Sequence, residues 1–320
     1  MLRKFAYNKI FRTTGMLFLL LFLLMFPVSK KYSLKNYKTT KAVSLIPKKA
    51  VYLIDKDGYV ARYMLEINAN TDEEYAKKLM ELLVTGGKYE SKLPNGFKGI
   101  LPTDTKVLDV KIDKSDIYVN FSSDVLELSK ANYEKAISAI IYNLTSIKNI
   151  KNVYIKVDGK LLSNIPNLNI NITQPFTRKS GINNVFDIND YKDSTKVTIY
   201  YINKNDNNNS YYFVPVTKLT NDKREKIKII IDELTSSRIY ETNLMSFLNY
   251  NTKLLDYTIE DNKLILNFNN YLLDDENSMT VLEEVIYSIS LSVKDNYSVD
   301  CIVFNVNGKE ITKSMLKNIE

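Results

Sequence analysis

From residue 51 onward the spacing of apolar positions changes period in a fixed order, and the chain runs through that order twice. Residues 51–65 (VYLIDKDGYVARYML) place β-forming residues on both sides of Asp57-Gly58, a pair suited to a hairpin turn. The period then lengthens. Tyr75, Leu79, Leu82 and Leu83 share one helical face behind Thr71-Asp72-Glu73-Glu74, a capping box in which Thr71 accepts from the Glu74 amide and Glu74 reaches back. Gly86-Gly87 is expected to end that helix. Alternation returns at 105–112 and 116–122, a hairpin turned by Asp113-Lys114-Ser115. Val107, Asp109 and Lys111 are expected on one of its faces, with Leu108, Val110 and Ile112 on the other. A second helix spans about 130–147, with Tyr133, Ala136, Ile137, Ile140, Ile141, Leu144 and Ile147 in its buried stripe. A strand at 153–159 closes the unit on Asp158-Gly159.

The second pass begins with strands at 197–202 and 211–216, joined by the polar loop NKNDNNNS, which is expected to be mobile. Thr220 or Asn221 is expected to cap a helix carrying Ile227, Ile230, Ile231 and Leu234. The stretch TKVLDVKIDKSDIYVNF from Thr105 aligns without a gap to TKLLDYTIEDNKLILNF from Thr252, 147 residues later. A helix at about 279–293, expected to bury Leu282, Val285, Ile286, Ile289 and Val293, and a strand at 302–308, ending on Asn307-Gly308, complete the copy. Asn-rich residues 164–195 separate the two and read as a linker or extended arm. The fold class is therefore α+β: two tandem copies of a small domain, each with two helices packed on a small sheet.

Charge divides the chain differently. Residues 1–49 hold eleven basic residues and no acid, leaving 33 basic residues against 37 acidic in the remainder. The folded part thus lacks the basic footprint of a nucleic-acid binder, and the tail suits a membrane surface. Residues 16–28 (MLFLLLFLLMFPV) follow Arg3, Lys4, Lys9 and Arg12, the order of an export signal. Spanning a bilayer takes about 20 apolar residues, and the stretch from Thr13 to Ser29 comes within reach when flanking basic side chains snorkel. The PVSKKY that follows offers neither a small-residue cleavage site nor a lipoprotein cysteine. The expected organisation is a signal anchor at 1–29, a basic stalk at 30–50, and domains at 51–165 and 196–320 joined by a linker at 166–195. The cell membrane would be crossed once, with both domains on its outer side.

Candidate chemistry is sparse. The chain has no His, which removes the commonest general base and metal ligand together. Cys301 is the one cysteine and reads as a small buried residue on a strand. Asp109, Asp113 and Asp116 cluster in one hairpin, but the second copy answers with Asp256, Glu260, Asp261 and Asn262, so no ligand geometry is kept. Asn120 and Asn267 recur before Phe, as expected for side chains that bond main chain. Lys106 and Lys253 recur as well, as solvated strand residues or partner contacts. Tyr200, Tyr201, Tyr211 and Tyr212 suit either a strand or an interface. No phosphate-binding glycine loop occurs. No catalytic, cofactor or metal site is expected.

Several short stretches carry a family resemblance: Gly99-Ile100-Leu101-Pro102, Thr105-Lys106-Val107-Leu108, Val119-Asn120-Phe121-Ser122 and Val157-Asp158-Gly159, repeated in part as Thr252-Lys253-Leu254-Leu255, Leu266-Asn267-Phe268 and Val306-Asn307-Gly308. The chain resembles the GerMN domain family of sporulation and germination proteins, with two domains in tandem behind one export segment. The resemblance implies an αββαβ core similar to ring-building folds. It implies a non-enzymatic assembly or scaffold role in endospore formation and germination, in the space between mother cell and forespore. Expected partners are other membrane-anchored sporulation channel proteins, further copies of the chain, and the membrane through the N-terminal anchor, with no nucleic acid. A ligand- or cell-wall-binding module outside the cytoplasm is the alternative.

Overall fold

The structure, a computed structural model, describes residues 48–205, 210–236, 242–275 and 279–315. The signal anchor expected at 1–29 and the stalk as far as residue 47 lie outside the described residues, as does the centre of the NKNDNNNS loop. Among the described residues no helix is long and apolar enough to cross a membrane.

The first copy comprises β1 (Lys48–Ile54), β2 (Val60–Glu66), α1 (Asp72–Leu82), β3 (Val107–Asp113), β4 (Asp116–Phe121), α2 (Lys130–Leu144), β5 (Asn152–Val157) and β6 (Lys160–Leu161). Short strands β7 (Asn164–Ile165), β8 (Ile170–Asn171) and β9 (Val185–Asp187) follow in the linker. The second copy runs β10 (Thr195–Asn205), β11 (Ser210–Thr220), α3 (Lys226–Thr235), β12 (Leu254–Glu260), β13 (Lys263–Phe268), α4 (Glu283–Asn296), β14 (Cys301–Val306) and β15 (Lys309–Met315). Sheets β3-β4-β5-β6 and β12-β13-β14-β15 correspond strand for strand. In each the middle pair is parallel, with α2 or α4 as the crossover helix. The α+β class and the tandem repeat are as the sequence indicates.

Some local readings need correction. Asp158-Gly159 and Asn307-Gly308 do not end the units. All four residues take positive φ, as a tight two-residue turn requires, and the chain folds back as β6 and β15. The strict alternation assigned to 107–112 is broken by a bulge between Val107 and Asp109, which returns Val107 to the buried side opposite Phe121 and leaves Leu108 exposed. The second copy has the same bulge between Leu254 and Asp256, exposing Leu255. Thr220 is the last residue of β11, and neither it nor Asn221 caps a helix; α3 starts at Lys226, behind Glu225. Helix α4 starts at Glu283, which leaves Leu282 outside it and exposed.

Helix α1 begins as read, with the Thr71 side chain accepting from the Glu74 amide, although Glu74 reaches back to the amide of Asn70 rather than of Thr71. It ends at Leu82, before Gly86-Gly87. The Leu83 carbonyl accepts from both Ile100 (2.7 Å) and Leu101 (2.8 Å), satisfying a group the helix end leaves open. Gly99 lies so close that a Cβ there would sit 2.5 Å from the Leu83 oxygen. The Gly-Ile-Leu stretch is thus a helix stop built from a distant segment.

The largest departure from two self-contained domains is the central sheet. Hairpins β1-β2 and β10-β11 join in the order β1-β2-β11-β10, with linker strand β9 paired to β11. The buried apolar residues of both copies form one contiguous core.

Candidate functional site: the junction between the copies

The central sheet is held at its seam by one linker side chain. Strands β2 and β11 pair antiparallel only at Arg62 and Phe213, because Pro215 has no amide to extend the ladder. Asn183 takes over. Its Oδ1 accepts from the Val60 amide (3.0 Å), and its Nδ2 donates to the carbonyls of Val60 (2.9 Å) and Pro215 (2.7 Å). The backbone of Asn183 is left-handed, with φ +46°, a conformation Asn tolerates better than most residues.

Residues 148 apart meet across this seam. The hydroxyls of Tyr52 and Tyr200 are 3.2 Å apart, and Asn203 Nδ2 donates to Asp55 Oδ2 at 3.2 Å. Equivalent groups face one another, as in an isologous twofold contact, here within one chain. The outer edges of the sheet are closed alike. Asn143 of α2 bonds both the N–H and the C=O of Tyr52 in β1, and Asn296 of α4 does the same for Thr198 in β10. Ser292 accepts from the Tyr200 amide at 2.9 Å. Neither edge is left open to another strand at these positions.

Beneath Tyr52 and Tyr200 lies an ion pair between Arg178 of the linker and Asp295 of α4. The Asp295 side chain is 3% exposed and also accepts from Tyr200 Oη at 2.8 Å. Arg178 donates through Nε to Thr145 Oγ1 (2.8 Å) and lies 4.5 Å from the centre of the Tyr142 ring. Burial works against the charge of Arg178, but Asp295, joined by Tyr52, Tyr200 and Tyr142, outweighs it and holds the guanidinium charged. Burial first, and the Asp295 charge second, push the Tyr200 hydroxyl well above its ordinary range, so it stays a donor.

At the other end of the seam Asp55 is buried and accepts from the amides of Asp57 and Tyr59, from Tyr212 Oη and from Asn203. Burial raises its carboxyl pKa in spite of these bonds. Asp55 therefore binds its proton more tightly when folded than when unfolded. Its contribution to stability is fully present below the unfolded value and is lost as pH rises through the folded one. Urea unfolding of the wild type and of Asp55→Ala, from about pH 4 to about pH 7, is expected to show the stability gap between them narrowing as pH rises.

Beside the Arg178–Asp295 pair a cleft of about 760 Å³ opens between the copies. Its rim carries Lys48 and Lys49 from β1, Lys148 and Lys151 from the segment after α2, and Lys294 from α4. Tyr52, Tyr75 and Tyr200 form part of its wall, with Lys49 Nζ 4.1 Å from the centre of the Tyr75 ring.

The residues singled out from sequence lie mostly elsewhere. Asn120 and Asn267 each accept, at 2.9 Å, from the amide of the turn glycine, Gly159 or Gly308, so their recurrence is a turn lock. Lys106 and Lys253 enter the two bulges, their amides bonded to Ser122 and Asn269. Asp113 and Asp116 pair across the β3–β4 turn, Asp109 stands opposite Asn120, and Asp256 accepts from Asn267. Among the described residues no carboxylate, Cys or His group could hold a metal ion. Cys301 is half-buried at the start of β14 rather than fully buried. Tyr200 and Tyr212 are buried in contacts between the copies, while Tyr211 is exposed and meets Phe247 edge to face. Sequence reasoning missed Asn183, Arg178 and Asp295 altogether.

Comparison with known proteins places the whole arrangement. The Germane family, described as sporulation and spore germination, matches residues 50–163 and again 198–312. Spore germination protein GerM of Bacillus subtilis (strain 168) is 32% identical over 289 residues, which cover 88% of this chain and 78% of that protein. The solved tandem GerMN domains of the sporulation protein GerM from Bacillus subtilis share the fold with a TM-score of 0.73 at 30% identity, covering 82% of this chain and 92% of that one. The chain belongs to the Germane family of sporulation and spore germination proteins.

Proposed function

We propose that the chain is a membrane-anchored, non-enzymatic assembly protein of endospore formation and germination. It acts through protein–protein contacts with membrane-anchored components of a channel between mother cell and forespore, and with further copies of itself. The observation that carries this reading is the repeated free edge. Strands β3 and β12 each end a sheet, and among the described residues no further strand pairs with them. Leu108 and Leu255, 45% and 52% exposed, stand on the bulges of these two edges. An unpaired edge with an exposed apolar side chain is a template for strand addition. Two such edges, fixed relative to each other by a shared sheet and core, give one chain two points of attachment.

Light scattering on residues 46–320 across a concentration series, alone and with membrane proteins extracted from sporulating cells, tests this. Growth in mass or co-elution with a membrane partner is expected. Replacing Leu108 and Leu255 together by Lys is expected to abolish it while leaving unfolding free energy within about 0.5 kcal/mol, since both side chains face solvent. A strict monomer that captures no partner, or association unchanged in the double variant, sinks the edge as the contact surface.

A further inference from the structure

We propose that the cleft between the copies binds a phosphate-bearing ligand. The proposal does not depend on the assembly reading.

Charge is concentrated there. Seven basic residues and three acidic ones line the cleft, and five of the seven lie beyond residue 49, where the chain as a whole carries more acid than base. The acids, Asp72, Asp295 and Asp300, cancel only part of this excess: Asp295 neutralises Arg178, and the basic residues still outnumber the acidic ones by four. Lys48, Lys148 and Lys151 are exposed and make no ion pair among the described residues. A concave surface lined by one sign of charge focuses potential and concentrates counter-ions. The volume, about 760 Å³, is that of a small-molecule site rather than of a flat protein contact.

The cations the cleft offers are ammonium groups. The fork of an arginine matches carboxylate and phosphate alike. The Arg178 fork is engaged by Asp295 and Thr145, and Arg62 is buried in the wall. What the rim presents is ammonium groups: compact point charges on flexible stems, reaching in from three separate segments. Such groups suit a tetrahedral, multiply charged phosphate that can be approached from several sides. Their placement is a product of the fold. Lys48 and Lys49 come from the first strand, Lys148 and Lys151 from a loop about a hundred residues on, and Lys294 from the last helix of the second copy.

The test is isothermal titration of the full chain in a non-ionic detergent at low salt, with inorganic pyrophosphate as probe. A single site is expected, weakened at least tenfold by Lys148→Glu with Lys151→Glu. The same charge reversal at Lys106 and Lys253, outside the cleft, is expected to leave it unchanged. Circular dichroism checks that both variants fold. Citrate, a polycarboxylate of comparable charge, is expected to bind at least tenfold more weakly. No binding of pyrophosphate, or equal loss in both variants, overturns the site; equal binding of citrate overturns its assignment to phosphate. Competition by glycerophosphoglycerol, a phospholipid headgroup freed of its chains, identifies a lipid as the source, and absence of competition identifies a soluble phosphate.

Discussion

Asp295→Ala is expected to lower the unfolding free energy by about 3–5 kcal/mol, the largest effect of any single substitution considered. The magnitude follows from what is left behind. The Asp295 carboxylate is almost fully buried and serves two partners, Arg178 and Tyr200. Without it a guanidinium whose own side chain is only 25% exposed has no counter-charge, and the Tyr200 hydroxyl loses its acceptor. Removing Arg178 as well, as Arg178→Met, is expected to recover part of the loss, because the stranded charge goes with it. Urea unfolding of the two single variants and the double variant forms a thermodynamic cycle. A cost for Asp295→Ala below about 1 kcal/mol would show that water reaches Arg178 and that the pair is a surface feature in solution.

Asn183→Ala attacks the seam from the other side and is expected to cost about 3 kcal/mol. Three hydrogen bonds to backbone groups of Val60 and Pro215 are lost, and unsatisfied main-chain groups at a part-buried site cost about 1 kcal/mol or more each. Alanine also fits the left-handed backbone at this position less well than Asn. Asn183→Asp keeps the acceptor for the Val60 amide but sets a carboxylate oxygen against the carbonyls of Val60 and Pro215, and is expected to cost at least as much as Asn183→Ala. If Asn183→Ala unfolds at the wild-type urea midpoint, the side chain does not hold the seam.

These two groups show what the sequence could not convey. The helices and hairpins were legible because each is set by a local period: Ala136 to Leu144 as a helical stripe, β13 and β4 as alternating runs ending in Asn-Phe. The roles of Asn120 and Asn267 were legible because the duplication supplied an internal comparison. The bulges at Leu108 and Leu255 were hidden because one inserted residue shifts the alternation without leaving a turn signal. Strands β6 and β15 were missed because Asp158-Gly159 and Asn307-Gly308 were read as stops instead of hairpin turns. Arg178, Asn183 and Asp295 carry no local pattern at all. Each works through residues far away in sequence, and the Asn-rich composition of the linker disguised a segment that crosses the seam. The cleft lysines were invisible for the same reason: the five positions converge only once both copies share one sheet.

Fusion of the copies into one chain frees the seam from a constraint that any homodimer must obey. Were two separate first copies to meet in the same way, Asp55 would face a second Asp55, since it now faces the residue 148 positions along. Two carboxylates, each already raised in pKa by burial, would compete for a proton at close range and could not both ionise. In the duplicated chain Asn203 stands in one of the two places, and its amide donates to the carboxylate instead of repelling it. The exchange works in one direction only. A first copy set free by proteolysis would find, in another first copy, a carboxylate opposite its own where the joined chain supplies an amide donor.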